Sequence, residues 1–241
     1  MKNTKSLFAL SIALCSFEAS ATIIHPGFNF RIVADGVASA GEASNYGSVT
    51  QIAPTEWFYS GSYQGLLGTN LSWAYVVDPD PFITGTFSLT NETALSQQFI
   101  VDFSLPISPA MSQSIISGQM SGTLTDANGS GSASMTSTNG GPVYSALADE
   151  AFVQGLMSNA NQTVTTAFGT TSFSGGSFGQ GSTLYGPAIN NTIAIRFAFT
   201  LSAGDSVSFS SIFVANPVPA PGAIALVGIA GAFVSSRRRR S

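Results

Sequence analysis

Ile193-Ala194-Ile195-Arg196-Phe197-Ala198-Phe199-Thr200-Leu201 decides the fold class. In an extended chain Ile193, Ile195, Phe197, Phe199 and Leu201 share one face, while Ala194, Arg196, Ala198 and Thr200 share the other. Strict alternation is the signature of a strand buried on one side; a helical period of 3.6 would scatter the five bulky residues around the axis.

The same pattern recurs upstream. Phe99, Val101, Phe103 and Leu105 alternate with Asp102 and Ser104, and Leu71, Trp73, Tyr75 and Val77 form another apolar row, as do Ile83, Gly85, Phe87 and Leu89. Residues 202–206 (Ser-Ala-Gly-Asp-Ser) form a short glycine-containing connection before a further strand at 207–214, which predicts a hairpin. Asp126-Ala127-Asn128-Gly129-Ser130-Gly131 reads as another hairpin turn, between strands at 115–125 and 132–138. Helical signal is confined to residues 148–158, where the spacing of Phe152, Val153, Leu156 and Met157 predicts about two turns and Gly155 opposes them. Glycine-rich residues 170–186 allow a long surface loop in place of a strand. Many short strands punctuated by turns make the expected fold all-β, an antiparallel β-sandwich of which a jelly roll is one form. No internal repeat is evident.

Both ends read as address signals around this body. Lys2 and Lys5 precede an apolar run at 7–17, and Ala19-Ser20-Ala21 supplies the small-x-small pattern of a signal-peptide cleavage site. The run is too short for a span of about 20 residues, so residues 1–21 are expected to direct Sec export and to be removed. Cys15, the one cysteine, goes with them; the lipoprotein alternative would require a small residue at Leu14. At the other end Val218-Pro219-Ala220-Pro221-Gly222 leads into an apolar stretch at 223–234 and then Arg237-Arg238-Arg239-Arg240. Such a stretch makes about 20 Å of helix, marginal against a hydrocarbon core of about 30 Å. The arginines hold its end in the cytoplasm, leaving the body outside. A permanent anchor and a transient, processed tail both fit these residues.

The Pro-x-Pro spacer, short Ala/Gly/Leu/Ile helix and terminal arginines over residues 217–241 resemble the PEP-CTERM sorting signal of Gram-negative bacteria, with Ala220 where the usual motif has glutamate. The resemblance implies processing by an exosortase-like membrane transpeptidase acting at Pro219, Ala220, Pro221 and Gly222, with transient residence of the tail in the inner membrane. It also implies deployment of the body at the cell surface or in an exopolysaccharide or biofilm matrix. Three segments follow: signal peptide 1–21, exported domain 22–216 and sorting tail 217–241.

Composition narrows what that domain does. About 195 residues suffice for one sizeable core. Within 22–216, Arg31 and Arg196 are the only basic residues against eleven carboxylates, which leaves a formal charge of −9. A surface without a basic footprint excludes nucleic acid as a partner and, for the same reason, anionic lipid. Without lysine or cysteine, Schiff-base chemistry, disulfides and thiolate catalysis are absent.

Four groups of residues remain as candidates for chemistry. His25 is the only histidine and sits close to the expected new N-terminus, an odd place for a general base. No Gly-x-Ser-x-Gly elbow accompanies it. Asp78-Pro79-Asp80-Pro81 reads first as a rigid acidic turn, with Ca²⁺ binding as a second reading. Asp126, Asn128, Ser130 and Gly131 match the first half of an EF-hand loop, but position 12 falls on Ser137 where a bidentate glutamate is needed. Trp57, Tyr59 and Tyr63 are candidates for stacking on a polysaccharide, against the alternative that they belong to the core. Asn70, Asn91, Asn128, Asn161 and Asn190 each begin an Asn-x-Ser/Thr triplet. The expectation is a non-enzymatic surface or matrix protein with an adhesive or structural role, a lectin-like module being the alternative.

Overall fold

The structure, a computed structural model, describes residues 24–65, 67–180 and 184–218. The signal-cleavage residues Ala19 and Ala21, the sorting residues Pro219, Ala220, Pro221 and Gly222, and Arg237, Arg238, Arg239 and Arg240 lie outside the described residues. The described chain is all-β, in two antiparallel sheets.

The first sheet runs, in spatial order, β11 (Ala151–Ser158), β10 (Pro142–Ala148), β15 (Thr192–Leu201), β7 (Gln97–Pro106), β1 (Asn29–Ala34) and β2 (Val37–Glu42). β9 (Ala133–Ser137) takes over from β10 beside the end of β15, and β12 (Asn161–Val164) pairs with β9. The second sheet runs β13 (Thr170–Phe178), β8 (Ser114–Thr125), β16 (Ser206–Pro217), β6 (Phe82–Asn91), β5 (Thr69–Asp78), β4 (Trp57–Gly65) and β3 (Gly47–Gln51). A two-residue strand, β14 (Tyr185–Gly186), also pairs with β8.

The alternating rows become the two inner faces. Ile193, Ile195, Phe197, Phe199 and Leu201 are all fully buried, as are Phe99, Val101, Phe103 and Leu105 on β7. Because β7 and β15 pair residue for residue from Gln97↔Leu201 to Pro106↔Thr192, their apolar rows lie side by side. Across from them, Phe103 of the first sheet meets Tyr75 and Phe87 of the second at ring-centroid distances of 4.5 and 5.5 Å. Phe197 likewise meets Phe87 at 4.7 Å and Phe209 at 4.9 Å. The two sheets thus share a single aromatic core.

Two connections depart from the sequence expectation. Residues 202–205 do not close a hairpin: β15 belongs to the first sheet and β16 to the second, where β16 lies between β6 and β8. Residues 126–132 likewise carry the chain from β8 in the second sheet to β9 in the first. A short polar connection has the same composition whether it reverses a strand within a sheet or steps across to the facing sheet, so local turn chemistry cannot distinguish the two.

Residues 148–158 are not helical. Asp149 and Glu150 both have positive φ, 48° and 68°, and join β10 to β11 as a tight hairpin. Both central residues of a type I′ turn need φ > 0, a demand usually met by Asn-Gly. Here the Asp149 carboxylate instead ties the turn to the start of β15, accepting from the amides of Asn190 (2.7 Å), Asn191 (2.8 Å) and Thr192 (2.9 Å). Burial alone would raise the Asp149 pKa, yet these amides hold it below the usual carboxylate value. Residues 170–178 form strand β13, with a bulge between Ser174 and Gly176, where a surface loop had been the alternative.

Candidate functional site

The acidic loop at 126–131 proves to be one half of a corner. Asp126 is fully buried, and its carboxylate accepts from the amides of Gly131 (2.8 Å), Ser130 (3.2 Å) and Phe168 (3.3 Å). Burial pushes its pKa up, and those amides more than reverse the effect, so the group sits below the ordinary range. Asn128 donates through Nδ2 to the carbonyl of Ala203 (2.8 Å), and the Ser134 amide donates to Ser202 Oγ (2.7 Å). The two inter-sheet connections are therefore bolted to each other.

A third crossover, from β6 to β7, joins the same corner through Asn91. Its fully buried amide donates to the carbonyls of Leu95, Ser202 and Leu201 at 2.8, 3.0 and 3.2 Å. Of the five Asn-x-Ser/Thr triplets, the one at Asn91 is thereby closed to glycosylation in the folded protein.

Asp205 completes this corner. It is fully buried, Ser202 Oγ donates to its Oδ2, and among the described residues its Oδ1 has no hydrogen-bond partner. Burial raises its pKa, and the nearby Asp126 charge raises it further against the opposing Ser202 bond. The two carboxylates are thus shifted in opposite directions, Asp126 downward by main-chain amides and Asp205 upward by burial. Asp126 and Asn128 act here as structural ties, with their oxygens committed to main-chain donors. Among the described residues, no group of three or more His, Cys, Asp or Glu side chains gathers as a metal site.

The second acidic motif lies in a groove at the N-terminal edge of the second sheet. Ile24, His25, Gln51, Trp57, Asp78 and Asp80 line a depression with a volume of about 500 Å³. The turn reads as expected: Asp78 Oδ1 accepts from the Asp80 amide (3.0 Å), and Oδ2 accepts from Thr55 Oγ1 (2.8 Å). Asp80 is left exposed at its tip.

The aromatic candidates divide. Tyr59 is fully buried; its hydroxyl donates to the Pro26 carbonyl and lies 3.1 Å from His25 Nδ1. That corrects its reading as a sugar-stacking residue, since no ring face is open. Tyr63 is half-buried, donates to Ser39 Oγ at 2.7 Å and packs on Phe30 and Tyr46. Trp57 is only 8% exposed, with His25 edge-on at 6.2 Å, and what remains open borders the groove. His25 is tied down by these rings and by Glu42 Oε1 at 3.4 Å, not loose as a chain end.

Sequence reasoning missed the strongest ion pairing of the body. Arg31, Asp102 and Arg196 are direct cross-strand neighbours on β1, β7 and β15. Arg196 binds Asp102 with two parallel bonds, Nε to Oδ1 at 2.7 Å and Nη2 to Oδ2 at 3.0 Å, and Arg31 Nη1 adds a third at 3.1 Å. Both arginines of the body are thus spent on one carboxylate on the outer face of the first sheet. Their scarcity in the sequence was the available signal, but eleven carboxylates competed for them.

No protein family matches the chain, and no curated protein matches it.

Proposed function

We propose that this is an exported bacterial β-sandwich protein of the cell surface or exopolysaccharide matrix, with a structural or adhesive role and a C-terminal tail processed by an exosortase-like transpeptidase. The observation that carries this reading is the pairing of an N-terminal export signal with the Pro219-Ala220-Pro221 spacer, apolar stretch and Arg237–Arg240 at the other end. The body between them suits the role. Two sheets around one aromatic core, three crossovers locked by Asn91, Asp126 and Ser202, and a formal charge of −9 make a rigid module that resists precipitation. Whether the strands follow jelly-roll order matters little to this reading; the sandwich supplies stiffness either way.

Intact mass spectrometry of the protein from its native host, in membrane and extracellular fractions, tests the sorting. The expected result is a body beginning near Thr22, ending near Pro219–Pro221, and found outside the membrane. A chain ending at Ser241 and resident in the membrane would replace this reading with that of a tethered ectodomain.

A lectin-like reading is favoured by one specific observation: the groove that unites Trp57, Gln51 and Asp80. An indole border beside an amide and a carboxylate offers both apolar and hydrogen-bonding surface to a sugar ring. On this reading Gln51→Ala/Asp80→Ala, both exposed positions, lowers retention on immobilised neutral polysaccharide about tenfold or more at unchanged thermal stability. Equal retention of the double variant and the parent would remove the groove from consideration.

A further inference from the structure

Charge is distributed unevenly over this molecule. Between Glu150 and Arg196 there is no charged residue, so residues 151–195 form an uninterrupted neutral run. That run supplies β11 and β12 at one edge of the first sheet and β13 at the neighbouring edge of the second. β11 and β12 lie close against β13, so the run makes up one whole flank of the body. The three most exposed aromatic side chains among the described residues all fall within it: Phe168 at 72%, Phe152 at 62% and Tyr185 at 61%.

Open sheet edges invite pairing with another chain, and proteins that stay monomeric blunt them. Other edges of the described sheets are short, charged or polar. β2 carries Glu42 and follows the Asp35-Gly36 turn; β3 is five residues long and β12 four; β13 is bulged and its exposed positions are Thr170, Ser172, Ser174, Gly176 and Ser177. β11 also carries an extra residue, Val153, opposite Ala146 and Leu147, but it differs from the other edges in the apolar side chains it leaves open. It is eight residues long, contains neither charge nor proline, and presents Phe152, Val153, Leu156 and Met157 at least partly exposed. β10 pairs with its inner side, and no described strand pairs with the outer one.

We infer that the β11 edge is an interface between two copies of this chain, joined antiparallel so that their first sheets become continuous. The occupant follows from charge. A body with a formal charge of −9 repels its own copies over most of its surface, and the neutral flank is where two copies approach without juxtaposed carboxylates. A foreign acidic or basic partner would find no complementary charge there. Two-fold antiparallel pairing of one strand with itself satisfies both rows of open main-chain groups at once and closes the assembly. This goes beyond the sorting reading and does not depend on it.

Residues 22–218 contain every described strand and the whole shared core, and they serve as the test protein. Analytical ultracentrifugation of the parent is compared with Phe152→Glu/Gln154→Glu, which places two carboxylates on each copy's edge, and with Leu95→Glu. Leu95 is 74% exposed on the β6–β7 connection, away from β11 in sequence, and controls for surface apolarity alone. Expected is a dimer in the parent and in Leu95→Glu, with a dissociation constant at least about tenfold weaker in the double variant. A monomeric parent, a dimer unaffected by the double variant, or equal weakening by Leu95→Glu would each overturn the assignment. Amide exchange distinguishes a misfolded variant: the monomer should keep parental protection in β7 and β15 and lose it in β11.

Discussion

Gly85→Val is expected to leave the protein unable to fold to a cooperative native state. Gly85 lies in the interior of β6, opposite Tyr75 on β5 and Ser211 on β16. A Cβ added there would stand 2.2 Å from the Ala74 carbonyl oxygen and 2.7 Å from both Cα and Cδ1 of Tyr75. Ordinary overpacking costs about 1–3 kcal/mol because neighbouring side chains can turn aside. Here the obstruction is main chain on a paired strand, and the Tyr75 ring beside it is fully buried. Relief requires parting β5 from β6, which gives up ladder bonds and core contacts together. A loss beyond about 4–5 kcal/mol is the expected scale, comparable with the whole stability of many domains at about 5–15 kcal/mol. Gly27→Ala is the matched control, since a Cβ there meets nothing within 4 Å; it should move stability by less than about 0.5 kcal/mol. Soluble yield and urea denaturation followed by circular dichroism read both. A Gly85→Val protein unfolding within about 1 kcal/mol of the parent would show that β5 and β6 do not approach in this register.

How Gly85 could be read from sequence illustrates where legibility ends. Its place in the row Ile83, Gly85, Phe87, Leu89 marks the strand and its buried face, because alternation records only which side of a strand faces the core. The reason for glycine at that place is the neighbouring strand, and pairing leaves no local trace. The same limit explains the two mistaken hairpins. Residues 126–131 and 202–206 announce a change of direction, but the ties that make them inter-sheet corners join residues far apart, Asn128 to Ala203 and Ser134 to Ser202. In β11 the pattern itself misleads. An edge strand half-covered on both faces has no reason to alternate, so Phe152, Val153, Leu156 and Met157 fell at helical spacing. The candidate site was legible in part: Asp78 and Asp80 form the rigid turn their prolines imply. Tyr59 carried a warning, since it shares parity with Trp57 along β4 and both turn inward. Arg31, Asp102 and Arg196, separated by 71 and 94 residues from the shared carboxylate, are joined only by strand order.

Phe103→Ala carries the next-largest effect, and it tests whether the two sheets share one core. Asp102 and Phe103 are adjacent in sequence and differ only in the face they take, Asp102 outward to two guanidiniums and Phe103 inward. The Phe103 ring lies 4.5 Å from Tyr75, 5.5 Å from Phe87, 5.9 Å from Phe28 and 6.4 Å from Trp73, centroid to centroid. Those neighbours come from the second sheet and from the segment leading into β1, and strand pairing holds them apart, so the space left by the ring cannot collapse. Phenylalanine-to-alanine changes at such sites cost about 3–5 kcal/mol, which for a domain of this size lowers Tm by about 6–20 °C. Phe152→Ala, at a ring 62% exposed, should cost under about 0.5 kcal/mol in the monomer. The contrast is what decides. If the sheets were separate layers, each meeting solvent or a partner, Phe103 and Phe152 would be comparably tolerant; if they form one core, the two phenylalanines differ by several kcal/mol. Trp73 reports independently, because a cavity opening beside its ring should shift tryptophan emission to the red before global unfolding.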